Sequence, residues 1–105
     1  MKVSPNAIIS EKIASKAPGI LKKIEKDKVP LRRSWYAVTT AREPDELMYI
    51  ISAKEYKLPI YRGPSMRLLG LAGSKSEANE MVSYIFKLGC EKDAITHMKQ
   101  FLEVF

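Results

Sequence analysis

The chain has one cysteine, one histidine and no apolar stretch longer than five residues, and these scarcities narrow its chemistry first. A lone Cys90 cannot close an intramolecular disulfide or build a multi-cysteine metal site. With His97 as the single histidine, a protein-supplied histidine cluster for metal or acid–base work is also excluded, so neither a metal nor a cofactor is expected. The apolar runs Met48 to Ile51 and Leu68 to Ala72 fall far short of the roughly 20 residues that cross a bilayer. Near the amino end, Ser4, Pro5, Asn6, Ser10, Glu11 and Lys12 interrupt what would have to be the apolar core of a secretory signal. The expectation is a cytoplasmic protein without membrane association.

What the sequence does contain suffices for one modest core: 105 residues, 46% of them hydrophobic, read as a single domain over 1–105. The formal charge of +6 is unevenly distributed. Residues 1–33 hold nine bases (Lys2, Lys12, Lys16, Lys22, Lys23, Lys26, Lys28, Arg32, Arg33) against Glu11, Glu25 and Asp27, while the remainder is balanced. This divides the chain into a basic helical segment, 1–33, and a folded α+β platform, 34–105. Such asymmetry fits a localised anion-facing surface, whereas charge serving solubility alone has no need to be concentrated.

Local signals give an element order. Ser4-Pro5 reads as an N-cap followed by proline at the first helical position, and Ile8, Ile9 and Ile13 supply a short apolar face. Pro18 opens a second helix that places Ile20, Leu21 and Ile24 on one side and Lys22, Lys23 and Lys26 on the other, ending by Lys28. Residues 34–40, rich in aromatic and β-branched types, read as a strand. A turn at Glu43-Pro44-Asp45-Glu46 leads to a second strand over 47–52, making an antiparallel hairpin. Ser52-x-x-Glu55 is a capping box for one helical turn, and 66–72 is a third strand in which Gly70 leaves room for a neighbour. Ser74-x-x-Glu77 caps a helix with Ala78, Met81, Val82, Ile85 and Phe86 at helical spacing, ending at Gly89. A last helix from about Glu91 aligns Ala94, Ile95, Met98, Phe101, Leu102 and Phe105. The simplest layering is a three-stranded antiparallel meander with helices packed on one face, preceded by two short basic helices.

Several residues invite a chemical reading. Gly70 to Ser76 lies between a strand and a helix like a phosphate loop, but Leu69 and Ser74 break the required spacing and helix capping explains it. His97 follows Asp93 by four residues, the spacing of an exposed helical pair. Cys90 follows the helix-ending glycine and precedes a helix start, a position where a thiolate could be stabilised, although lone cysteines more often serve as small apolar groups. Trp35, Tyr36, Tyr49, Tyr56 and Tyr61 lie near Arg32, Arg33, Arg42, Arg62 and Arg67, the residue types that stack on bases and pair with phosphates. A sheet core with a solvated rim has the same composition.

The stretch from Trp35 to Val82, with Glu46-Leu-Met-Tyr-Ile-Ile and above all Leu68-Leu-Gly-Leu-Ala-Gly-Ser-Lys-Ser-Glu-Ala, resembles small uncharacterised proteins of Gram-positive bacteria. The resemblance implies a strand running into a capped helix and brings no catalytic residue with it. The functional expectation therefore rests on charge: a non-enzymatic binding or adaptor module that engages an acidic protein surface through Lys22, Lys23, Lys26, Lys28, Arg32 and Arg33. Nucleic-acid binding through the same six residues is the first alternative. A small basic ribonuclease-like toxin using His97, Tyr61 and Arg67 is the second. Self-association through an open sheet face or the Phe101 to Phe105 end is compatible with each.

Overall fold

A computed structural model describes residues 1–31, 34–61 and 63–105. It contains β1 (Lys2–Ile9), α1 (Ala17–Glu25), β2 (Tyr36–Thr40), β3 (Met48–Ser52), β4 (Arg67–Ala72), α2 (Lys75–Glu91) and α3 (Met98–Glu103), with single 3₁₀ turns at Glu11–Ile13, Glu55–Lys57, Pro59–Tyr61 and Ile95–His97. The architecture is α+β, but the sheet is four-stranded and mixed, in the order β1-β4-β2-β3. β1 runs parallel to β4, and β2 is antiparallel to both β4 and β3.

This overturns the expected three-stranded meander at two points. The segment read as a first basic helix is β1, because Ile8 and Ile9, adjacent and β-branched, align with Gly70 and Leu71. Its Ser4 hydroxyl does accept a backbone N–H, from Asn6, but inside an irregularity and not at a helix start. Between the aligned pairs Val3–Leu68 and Ile8–Gly70, four residues of β1 face the single Leu69, so the alternation that would betray a strand is broken. The second point is strand order: β3 hands over to β4 through two 3₁₀ turns, and β4 pairs with β2 instead of β3.

Nor do the helices share one face. On one side, Ala17, Ile20 and Ile24 of α1 pack with Met1, Trp35, Tyr56, Leu68 and Leu71; on the other, Ala78, Met81 and Ile85 of α2 and Met98 and Leu102 of α3 pack with Val38 and Leu69. Burial on both faces explains why β4, Arg-Leu-Leu-Gly-Leu-Ala, is a nearly continuous apolar run. Gly70 is the narrow point, since a Cβ there would lie 3.0 Å from Met81 Sδ and 3.2 Å from the Ile8 carbonyl oxygen.

Both Ser-x-x-Glu caps form, the Ser52 one as a reciprocal box and the Ser74 one with its glutamate reaching one residue further back. Ser74 Oγ accepts from the Glu77 N–H at 3.2 Å, while Glu77 Oε1 accepts from the Gly73 N–H at 3.1 Å. Ser52 and Glu55 satisfy each other reciprocally at 3.0 and 3.1 Å. Gly89, expected to end α2, lies inside it and lets α3 approach: a Cβ would fall 2.5 Å from Met98 Sδ. The last helix is correspondingly shorter than its apolar spacing suggests, a 3₁₀ turn followed by α3, with Ile95 left exposed.

Candidate anion-binding site

The basic surface is built on α1. Pro18 occupies the first turn, where its missing N–H leaves no helical bond unmade, and burial of Ala17, Ile20 and Ile24 fixes the helix rotation. Lys22, Lys23 and Lys26 are consequently exposed. The helix then ends in a Schellman turn: the Asp27 N–H donates to the Ile24 carbonyl at 3.0 Å, and the Lys28 N–H to the Lys23 carbonyl at 2.8 Å. Asp27 holds the left-handed position, φ 55°, that glycine usually takes. This reversal folds Lys28 back beside the helix, so that Gly19, Lys22, Lys23, Lys26 and Lys28 line one groove of about 340 Å³. A Cβ on Gly19 would meet nothing within 4 Å, so the absent side chain leaves the groove open there.

Charge balance around the groove is equally specific. Two acids lie between these lysines in the sequence, and neither Glu25 nor Asp27 lines the groove. Asp27 accepts from the amino-terminal ammonium of Met1, which also donates to the Ile24 carbonyl at 3.3 Å. Its carboxylate is thus engaged with the chain terminus. Among the described residues no carboxylate forms an ion pair with Lys22, Lys23, Lys26 or Lys28. All four lysines are exposed, which leaves their ammonium groups in solvent. Lys22 and Lys23 also sit in the last turn of α1, where a positive charge complements the helix dipole.

The structure thus brings four of the six expected site residues together, and Arg32 and Arg33 lie outside the described residues. In the sequence only net charge groups Lys28 with the others; the signal that it returns to the helix is Asp27 in the left-handed conformation, which asparagine or glycine would have announced more clearly.

The aromatic candidates separate from the lysines. Trp35 and Tyr56 are core residues in an edge-to-face pair at 5.5 Å. Tyr49 and Tyr61 are half-buried and pair edge-to-face at 6.4 Å, and Tyr36 faces the α2 side. The more exposed aromatics, Tyr84 and Phe86, belong to α2, across the sheet from α1. Arg62 lies outside the described residues.

The remaining candidates are dispersed as well. Exposed His97 closes the 3₁₀ turn before α3, so the expected helical pairing with Asp93 has no continuous helix to carry it. Tyr61 packs on the opposite, α1 side of the sheet. Arg67 is half-buried on β4, its Nε buried without a hydrogen bond among the described residues. Cys90 is inside the last turn of α2, packed against the core on that side. The Gly70 to Ser76 loop is consumed by capping, and a Cβ on Gly73 would lie 3.0 Å from Ile13 and Lys12 side-chain atoms. Among the described residues no group of three or more His, Cys, Asp or Glu is arranged to hold a metal ion, and no helix is long and apolar enough to cross a membrane.

Comparison with family models, with curated proteins and with solved structures finds no match to this chain.

Proposed function

We propose that the protein is a small binding module that docks an acidic segment of a protein partner in the lysine groove of α1. The observation that carries this reading is the convergence of Lys22, Lys23, Lys26 and Lys28 on one groove, with the intervening Asp27 engaged by the amino terminus. Carboxylates entering the groove replace water around ammonium groups that have no counter-ion among the described residues, and each contact gains from the summed field of the other lysines. An acidic peptide fits better than a single-stranded nucleic acid, whose recognition combines cations with stacking platforms on one face. Here Trp35 and Tyr56 are buried and Tyr84 and Phe86 lie beyond the sheet from α1.

Fluorescence anisotropy with a labelled oligo-glutamate peptide and, separately, a labelled DNA duplex tests the reading. The peptide is expected to bind at low salt, and changing Lys22, Lys23, Lys26 and Lys28 together to Gln abolishes binding while the fold, followed by circular dichroism, persists. Duplex binding tighter than peptide binding, with the steep salt dependence of phosphate contacts, would transfer the groove to nucleic acid.

A further inference from the structure

The two edges of the sheet differ in how they are protected. β1 carries Lys2, Pro5 and the four-residue excursion opposite Leu69, features that spoil an edge as a template for another strand. β3, Met-Tyr-Ile-Ile-Ser, has no charge, no proline and no irregularity against β2. Its ladder also defines what faces outward. Tyr49 and Ile51 lie opposite Thr39 and Ala37, and the flanking bonds, Ala41 N–H to Leu47 carbonyl and Ala53 N–H to Trp35 carbonyl, continue the same alternation. The odd-numbered residues therefore bond to β2, and the N–H and carbonyl groups of Met48, Ile50 and Ser52 point away from the sheet. Ser52 N–H is taken by Glu55 Oε1, whereas among the described residues Met48 and Ile50 have no partner on that side.

Beside this edge, between β3 and α2, lies an apolar groove of about 520 Å³ walled by Leu47, Met48, Val82 and Phe86, with Asp45 and Glu46 at its end. Phe86 is 42% exposed there. Charge chooses the occupant. Arg42, Glu43, Asp45 and Glu46 precede β3 with a net charge of −2 and Lys54, Glu55 and Lys57 follow it with a net +1, Glu55 being held on the Ser52 N–H, so a second copy laid antiparallel sets Glu46 of one strand beside Lys54 of the other at both ends.

We infer that β3 is a self-pairing edge: two copies join antiparallel about Ile50 across a two-fold axis and fuse their sheets into one of eight strands. The two Ile50 residues exchange N–H to carbonyl bonds, Met48 N–H donates to the Ser52 carbonyl opposite, and Glu46 faces Lys54. The axis brings both Phe86 side chains toward the junction, covering the exposed ring. The lysine groove, on the other face of the sheet, stays free in the pair and is presented twice.

Sedimentation velocity across a concentration series tests this with exposed charges that the fold does not need. The wild-type chain is expected to dimerise, and Glu46→Lys or Lys54→Glu alone, each creating two like-charge contacts across the axis, to weaken the dimer by at least about tenfold. In an equimolar mixture of the two variants, the mixed pair again sets opposite charges against each other at both ends, and the dimer is expected to return. Ile50→Pro removes an outward N–H without touching the bonds to β2, and is expected to be folded and monomeric. A wild-type chain that stays monomeric at every reachable concentration overturns the inference, as does a dimer indifferent to both charge reversals.

Discussion

Asp27 serves two purposes that a substitution series can separate. It holds a left-handed backbone position and supplies the carboxylate that meets the buried Met1 ammonium. Asp27→Asn keeps the backbone tolerance and an acceptor oxygen but deletes the charge. A fully buried pair broken on one side costs about 3–5 kcal/mol, and because Asp27 is 46% exposed the loss reduces to about 1–2 kcal/mol. Asp27→Ala adds left-handed strain of roughly 1 kcal/mol and should lose about 2–3 kcal/mol in all. Asp27→Gly relieves the strain while losing the pair, so it should fall between wild type and the alanine variant. Thermal unfolding followed by circular dichroism reads the series; at about 4–8 °C per kcal/mol for a domain of this size, the Asn variant melts roughly 4–16 °C below wild type. An Asp27→Gly protein more stable than wild type, or an Asn variant that melts with it, would show that the terminal ion pair contributes nothing. The alanine variant should also bind the acidic peptide less tightly, because it loosens the turn that returns Lys28 to the groove.

Two further outcomes test the fold on the α2 side. Gly89→Ala gains roughly 1 kcal/mol of helix propensity but forces Met98 and Phe101 aside, for which overpacking costs about 1–3 kcal/mol; a net loss in urea unfolding is expected, and Met98→Ala, which by itself costs about 2–5 kcal/mol, should cost less in the Gly89→Ala protein than in wild type. Ser74→Ala removes the cap acceptor for the Glu77 N–H and should cost about 1 kcal/mol, measured the same way.

Much of the molecule is legible where the signal is local. The hairpin β2–β3, strand β4 and the Ser74 start of α2 follow from turn residues, β-branched runs and capping boxes. Gly70 reads correctly as a point of close approach. β1 is not legible because Ser4-Pro5 imitates a helix start and the excursion before Ile8 erases the period of two, while its partner lies more than 60 residues away. Gly89 misleads because the same residue serves helix ends and tight helix packing, and only the position of Met98 distinguishes them. Of the site, helical spacing gives Lys22, Lys23 and Lys26 directly, since the apolar stripe of α1 must face inward. Trp35 and Tyr56 carry no such directional signal: aromatic residues in or beside strands suit a core as well as a ligand, and here they form the core.

The role proposed for the α1 lysines is to dock carboxylates. Amide chemical-shift mapping of the full chain, titrated with unlabelled oligo-glutamate, addresses it residue by residue. Shifts concentrated from Gly19 to Lys28 and suppressed by added salt are the predicted result. Shifts spread without regard to α1, or none at saturating peptide, would contradict it.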